Sequence, residues 1–155
     1  QGAMLILLGS GDATLEAQYL ALQERYPQQV AVRIGYDEAY SHRLQAGVDI
    51  LLIPSRFEPC GLTQLYALKY GTLPLVRKTG GLADTIFEVG NKANGFVFEN
   101  ASIKDLTDAI QRSLAAFANL GTWRELQHNA MGQDHSWKRV TGEWISLYKK
   151  LLSNA

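Results

Sequence analysis

"RFEPCGLTQLYALKYGTLPLVRKTGGLADTI", residues 56 to 86, decides how the rest of this chain is read. An apolar helical pattern from Gly61 to Tyr70 runs straight into an apolar strand, Leu73 to Val76, which ends in a second glycine turn at Gly80-Gly81. A helix feeding a short buried strand is the repeating step of a parallel sheet covered by helices. The same step continues in both directions. Upstream lie apolar runs at Met4 to Leu8, Val30 to Ile34 and Ile50 to Ile53, separated by helical patterns ending before Pro27 and near Ala46. Downstream, Phe96 to Phe98 reads as a fifth strand. Ser102 and Asp105 form a capping box before a helix that carries Leu106, Ile110, Leu114 and Phe117 on one face. Two further helices are expected, Thr122 to Met131 and one from Ser136 onward. The expected class is α/β, a doubly wound, mainly parallel, Rossmann-like sheet.

The composition excludes several kinds of function. The 155 residues fit a single domain, 46% apolar and 19% charged, with fifteen basic residues balancing fifteen acidic ones. No Lys/Arg block marks a nucleic-acid or membrane surface, and no His/Cys cluster has metal-ligand spacing. One cysteine fits a reducing compartment, so a cytoplasmic location is expected. "QGAMLILLGSGD" enters a strand almost at once, which reads as an excised domain with a cloning remnant at Gln1 to Ala3.

In a doubly wound sheet, ligands sit beyond the carboxyl ends of the strands. Gly9-Ser10-Gly11 is one such end, but Thr14 stands where a dinucleotide fingerprint has its third glycine, so a tight strand-to-helix turn explains it better. "FEPCGLT" is richer. Pro59 holds Glu58 extended, and the chain then enters a helix whose first amides, Cys60 to Thr63, lack intrahelical partners. Free amides at the positive end of a helix dipole suit a phosphate. Gly61 permits close approach to the backbone, Thr63 adds a hydroxyl, and Glu58 can accept hydrogen bonds from a polyol. The competing reading makes Glu58 a solvated loop acid and Cys60 a small core residue; chemistry alone leaves both open. Cys60 has no base near it in sequence to make it a nucleophile. Gly80-Gly81 repeats the glycine theme one strand later. Tyr36 is either a stacking platform for a nucleobase or an exposed loop residue.

At this length the motifs carry a resemblance. "PSRFEPCGLTQLYALKYGTLPLVRKTGGLADT", "IGYDEAYSHRLQAGVDILLIPS", "GFVFEN" and "DHSWKRVTGEWISLYKKLL" resemble, in order, the bacterial glycogen synthases and the related plant starch synthases. The resemblance implies a retaining glucosyltransferase of GT-B architecture, with two Rossmann-like lobes facing a cleft. Glucose would pass from ADP-glucose to the 4-hydroxyl of an α-1,4-glucan such as glycogen, with ADP as product and no cofactor or metal. It implies that residues 1–155 form the C-terminal, nucleotide-sugar-binding domain. The domain's first strand and helix, with a basic pair for the diphosphate, and the whole N-terminal domain would be missing. Site residues carried over by motif are Glu58 at the catalytic centre, binding glucose hydroxyls; Cys60 and Gly61 on the sugar; Leu62 and Thr63 on the phosphates; Tyr36 on the adenine; and Gly80 and Gly81 lining the cleft. The broader GT-B pattern has a second glutamate at the position of Tyr66, and its absence fits the bacterial glycogen synthases. Retention without a carboxylate nucleophile implies front-face displacement. The fragment alone is expected to be inactive; the alternative is a stand-alone module binding a nucleotide sugar or glucan without catalysis. The segment Phe87 to Asn94 is expected to be short for the family. The aromatic stripe Trp137, Trp144, Tyr148 is expected to favour self-association.

Overall fold

The computed structural model describes residues 2–153; Gln1, where the supposed cloning remnant begins, lies outside the described residues. The chain divides into two compact units, Gln1–Leu44 and Gln45–Ala155.

The first unit is a strand–helix–strand step. β1 (Leu5–Gly9) and β2 (Val30–Ile34) pair in parallel, Leu5 opposite Val30 through Gly9 opposite Ile34, and α1 (Ala13–Arg25) connects them. The Gly9-Ser10-Gly11-Asp12 stretch is a strand-to-helix turn, as its missing third glycine suggested. The Asp12 carboxylate caps α1 by accepting from the amides of Thr14 (2.9 Å) and Leu15 (3.1 Å), and Glu16 accepts from the Gly11 amide. The unit ends within α2 (Glu38–Gly47), whose start is held by Asp37 accepting from the Tyr40 amide. None of the described residues of this unit is buried.

The second unit holds a separate three-stranded parallel sheet in the order β3 (Ile50–Ile53), β4 (Leu73–Arg77), β5 (Phe96–Phe98). The strands are thus all parallel, as expected, but their ladders form two sheets rather than one. Helices α3 (Thr63–Tyr70), α4 (Gly80–Thr85), α5 (Ile103–Phe117), α6 (Leu120–Met131) and α7 (Trp137–Ser153) complete the unit. β4 is central, and four of its five residues are buried, which is why it reads as an unbroken apolar run. Around it pack Leu68, Leu82, Ile86, Phe96, Phe98 and Leu126. Trp123 closes the far side, meeting Phe117 edge-on at 5.0 Å between centroids.

Two departures from the sequence expectation bear on the site. α3 starts at Thr63 rather than Gly61, and the Gly80-Gly81 turn is the first part of a short helix, α4, which buries Leu82. The 87–94 segment is tied at its ends by buried Asn94. Its side chain accepts from the Phe87 amide (2.8 Å) and donates to the Thr85 carbonyl (2.9 Å). α7 buries none of its residues, and Trp137 is 82% exposed. No helix among the described residues is long and apolar enough to cross a membrane.

Candidate functional site

The loop between β3 and α3, residues 54–62, is held by donors from three residues. Arg77, the last residue of β4, reaches across with its guanidinium: Nε donates to the Ser55 carbonyl at 2.8 Å and Nη2 to that of Arg56. The Gly81 amide donates to the Glu58 carbonyl at 3.1 Å. Within α3, the Gln64 side chain turns back, and its Nε2 donates to the carbonyls of Cys60 (2.9 Å) and Gly61 (3.0 Å).

This packing explains the glycines. Gly80 has a left-handed φ of 45°, and a Cβ on it would overlap the Glu58 carbonyl; one on Gly81 would lie 2.6 Å from Cys60 Cα. The pair is therefore required by backbone against backbone. Gly61 also has a left-handed φ, 73°, and the direction its Cβ would take is filled by the Gln64 carboxamide. The protein itself demands glycine there, independently of any ligand.

Glu58, Cys60, Gly61, Leu62, Thr63, Gly80 and Gly81 are thus brought together within the second unit. Glu58 is half-buried at the edge of the loop, and Cys60, a free thiol, is exposed with Leu62 and Thr63. Tyr36 belongs to the first unit, where it follows β2 and is 86% exposed.

The helix starts at this site differ from those of α1, α5 and α6. α1, α5 and α6 are capped by the side chains of Asp12, Ser102 and Asn119. α3 and α4 have Leu62 and Thr79 at the cap position, no side-chain cap bond and no acid in the first turn. At α4 the Gly81 amide is taken by the Glu58 carbonyl, whereas the α3 start leaves its leading amides and dipole end for something other than the protein. At α3 the exposed rim carries the Glu58 acceptor beside these donors. The combination can bind a hydroxylated anion: amides toward phosphate, carboxylate toward hydroxyls.

A shallow depression of about 240 Å³ beside β5 and α5 includes none of these residues. Its charges are already engaged, Lys104 with Asp108, Arg112 with Glu88, and Asp105 with Ser102. The bonds to Arg112 hold its guanidinium firmly protonated, with Glu88 the largest influence. The uncapped α3 start is therefore the candidate site. Among the described residues no group of His, Cys, Asp or Glu side chains is arranged to hold a metal ion.

Sequence reading passed over Gln64 and Arg77. Gln64 carried a signal, a polar residue inside an apolar helix four positions after Cys60. Arg77 carried none, because a basic residue closing a strand is ordinary.

Comparison with known proteins bears on what this geometry serves. The family model described as glycosyl transferases group 1 matches residues 1–118. The glycogen synthase of Marinomonas sp. (strain MWYL1) is 66% identical over 153 residues, covering 99% of this chain and 32% of that protein. The glycogen synthase of Serratia proteamaculans (strain 568) is 50% identical over 157 residues, covering 97% of this chain and 33% of that one. The chain spans about a third of the length of the curated relatives it matches. Among solved structures, the catalytic domain of starch synthase IV from Arabidopsis thaliana, bound to ADP and acarbose, superposes with a TM-score of 0.86. It is 33% identical, and the match covers 98% of this chain and 33% of that one. The parallel α/β architecture is that of the GT-B glycosyltransferases. On the family match and the fold together, the chain belongs to the glycosyl transferases of group 1.

Proposed function

We propose that this chain is the donor-binding, C-terminal part of a retaining glucosyltransferase that moves glucose from ADP-glucose to the 4-hydroxyl of an α-1,4-glucan, as in glycogen synthesis. The observation that carries this reading is the uncapped start of α3 with the half-buried Glu58 beside it. The 66% identity to a glycogen synthase and the likeness to a starch synthase bound to ADP and acarbose support the choice of donor and acceptor.

In this reading the amides of Leu62 and Thr63 take the diphosphate, and those of Cys60 and Gly61 face the sugar. Glu58 accepts from glucose hydroxyls, Gly80 and Gly81 back the loop, and Tyr36 stacks on adenine. The bond from the anomeric carbon to the diphosphate oxygen breaks. The acceptor 4-oxygen bonds to the same face of that carbon, and its proton passes to the departing phosphate. Catalysis rests on positioning and on stabilising the leaving charge, where one aimed amide is worth about 3 kcal/mol. No resident cofactor or metal takes part. A second lobe supplies the facing wall of the cleft, and the enzyme works in the cytoplasm on soluble donor.

The test is an NMR titration of the 155-residue chain with ADP, ADP-glucose and UDP. Shifts at Tyr36, at residues 60–63 and at Gly80-Gly81 with the adenine ligands are expected. Absence of any shift at millimolar ADP counts against the reading. Adding the remaining part of a relative should restore glucan elongation, which the chain alone should lack. Binding without restored turnover would favour a non-catalytic module.

A further inference from the structure

We infer that Gln64 is a positioning residue for the ligand-facing amides at the start of α3: it fixes the Gly61 N–H, toward the sugar, and the Leu62 N–H, toward the phosphate, outward by holding the two preceding carbonyls inward. The inference rests on the proposed nucleotide reading only for what those amides bind.

The argument begins with the peptide bond. A trans peptide is planar, so its carbonyl and its N–H point in opposite directions. Whatever holds the Cys60 oxygen toward the helix therefore turns the Gly61 N–H away from it. The same holds for the Gly61 oxygen and the Leu62 N–H. Gln64 holds both oxygens at once, at 2.9 and 3.0 Å, through the two hydrogens of one Nε2. Two donors meet two acceptors.

Three features show that this bond pair is built in. Gln64 is 1% exposed, so it does not trade these partners for water. Its Oε1 is buried and makes no hydrogen bond in the structure, so the side chain is held through Nε2 alone. And Gly61 leaves open the space that the carboxamide occupies. Arg77 and the Gly81 amide draw the carbonyls of Ser55, Arg56 and Glu58 in the same way, so the loop turns its acceptors toward the protein. Gln64 acts at the end of that loop, where it meets the uncapped start of α3.

The test compares wild type with Gln64→Met, which keeps the length and loses both donors, and Gln64→Glu. Residual dipolar couplings of the Gly61 and Leu62 N–H bonds report their directions without any ligand. In Gln64→Met these couplings should change while those of Ala67 and Leu68 in the same helix stay. ADP affinity should fall about ten- to a hundredfold through the misdirected Leu62 donor to a charged group. Gln64→Glu should lose affinity near neutral pH and regain part of it as the pH is lowered, since a protonated carboxyl can donate to one carbonyl.

Unchanged couplings at Gly61 and Leu62 in Gln64→Met overturn the inference whatever ADP does. So does ADP binding to Gln64→Met at wild-type strength. If the variants fail to fold, the wild-type Gln64 side-chain protons decide: slow exchange with water supports the clamp, and exchange as fast as in an exposed glutamine sinks it. A wild-type chain that ignores ADP removes the nucleotide reading, and the couplings still judge the clamp.

Discussion

At Gly80 an added methyl group meets two obstacles, and at Gly81 only one. Gly80 combines a left-handed φ with the Glu58 carbonyl in its Cβ direction, whereas Gly81 has ordinary backbone geometry and only the Cys60 backbone in the way. Overpacking against backbone typically costs about 1–3 kcal/mol, and a left-handed non-glycine residue adds about 1–2 kcal/mol. Gly80→Ala should therefore destabilise more than Gly81→Ala in urea unfolding, and both should weaken ADP binding through the displaced loop. Equal stability of the two variants would contradict this geometry. The double glycine was visible in the sequence, but its purpose was not: a glycine kept clear for a ligand and one kept clear for a neighbouring strand of backbone look the same in one dimension.

The helices divide by how their first turns are satisfied. α5 is self-sufficient: Ser102 Oγ accepts from the Asp105 amide at 3.0 Å and donates to its carboxylate at 2.8 Å, and Asn100 donates to the same carboxylate. The Ser102 hydroxyl, followed by the Asn100 donors, holds the Asp105 carboxyl below its ordinary value of 3.8. A depressed carboxyl stabilises the fold above its ordinary pKa, and that contribution is lost as pH falls through the lower folded value. Ser102→Ala should cost about 1 kcal/mol near neutral pH, and the penalty should shrink in acid. A penalty in urea unfolding that stays constant across the carboxylate range would count against the coupling to Asp105. This cap was legible because a capping box has a fixed spacing. α4 was not, since a helix opening on two glycines has poor propensity. Docking on the Glu58–Cys60 backbone and burial of Leu82 impose it instead.

Across the molecule, the buried residues among those described fall on one side of the unit boundary. The core, from Ala67 to Ala130, lies in the second unit, while no described residue before Gln45 is buried. Hydrogen exchange should accordingly be faster in β1 and β2 than in β4. Leu75→Ala should cost about 2–5 kcal/mol and accelerate exchange in the second unit, leaving the β1–β2 ladder as it was. Uniform acceleration across both units would show that they unfold together. The alternation of strands and helices was readable from apolar periodicity. The division into two ladders was not, because periodicity identifies a strand without naming its neighbour. The loop at α3 adds a consequence for genetics. Apart from the Glu58 carboxylate, its proposed contact atoms are main-chain amides, which every replacement except proline keeps. A saturation scan should therefore find Cys60 and Leu62 permissive while Gly61, Gln64, Gly80 and Gly81 resist replacement. Outside Glu58, the map of intolerance would trace the scaffold behind the recognition surface rather than the surface itself.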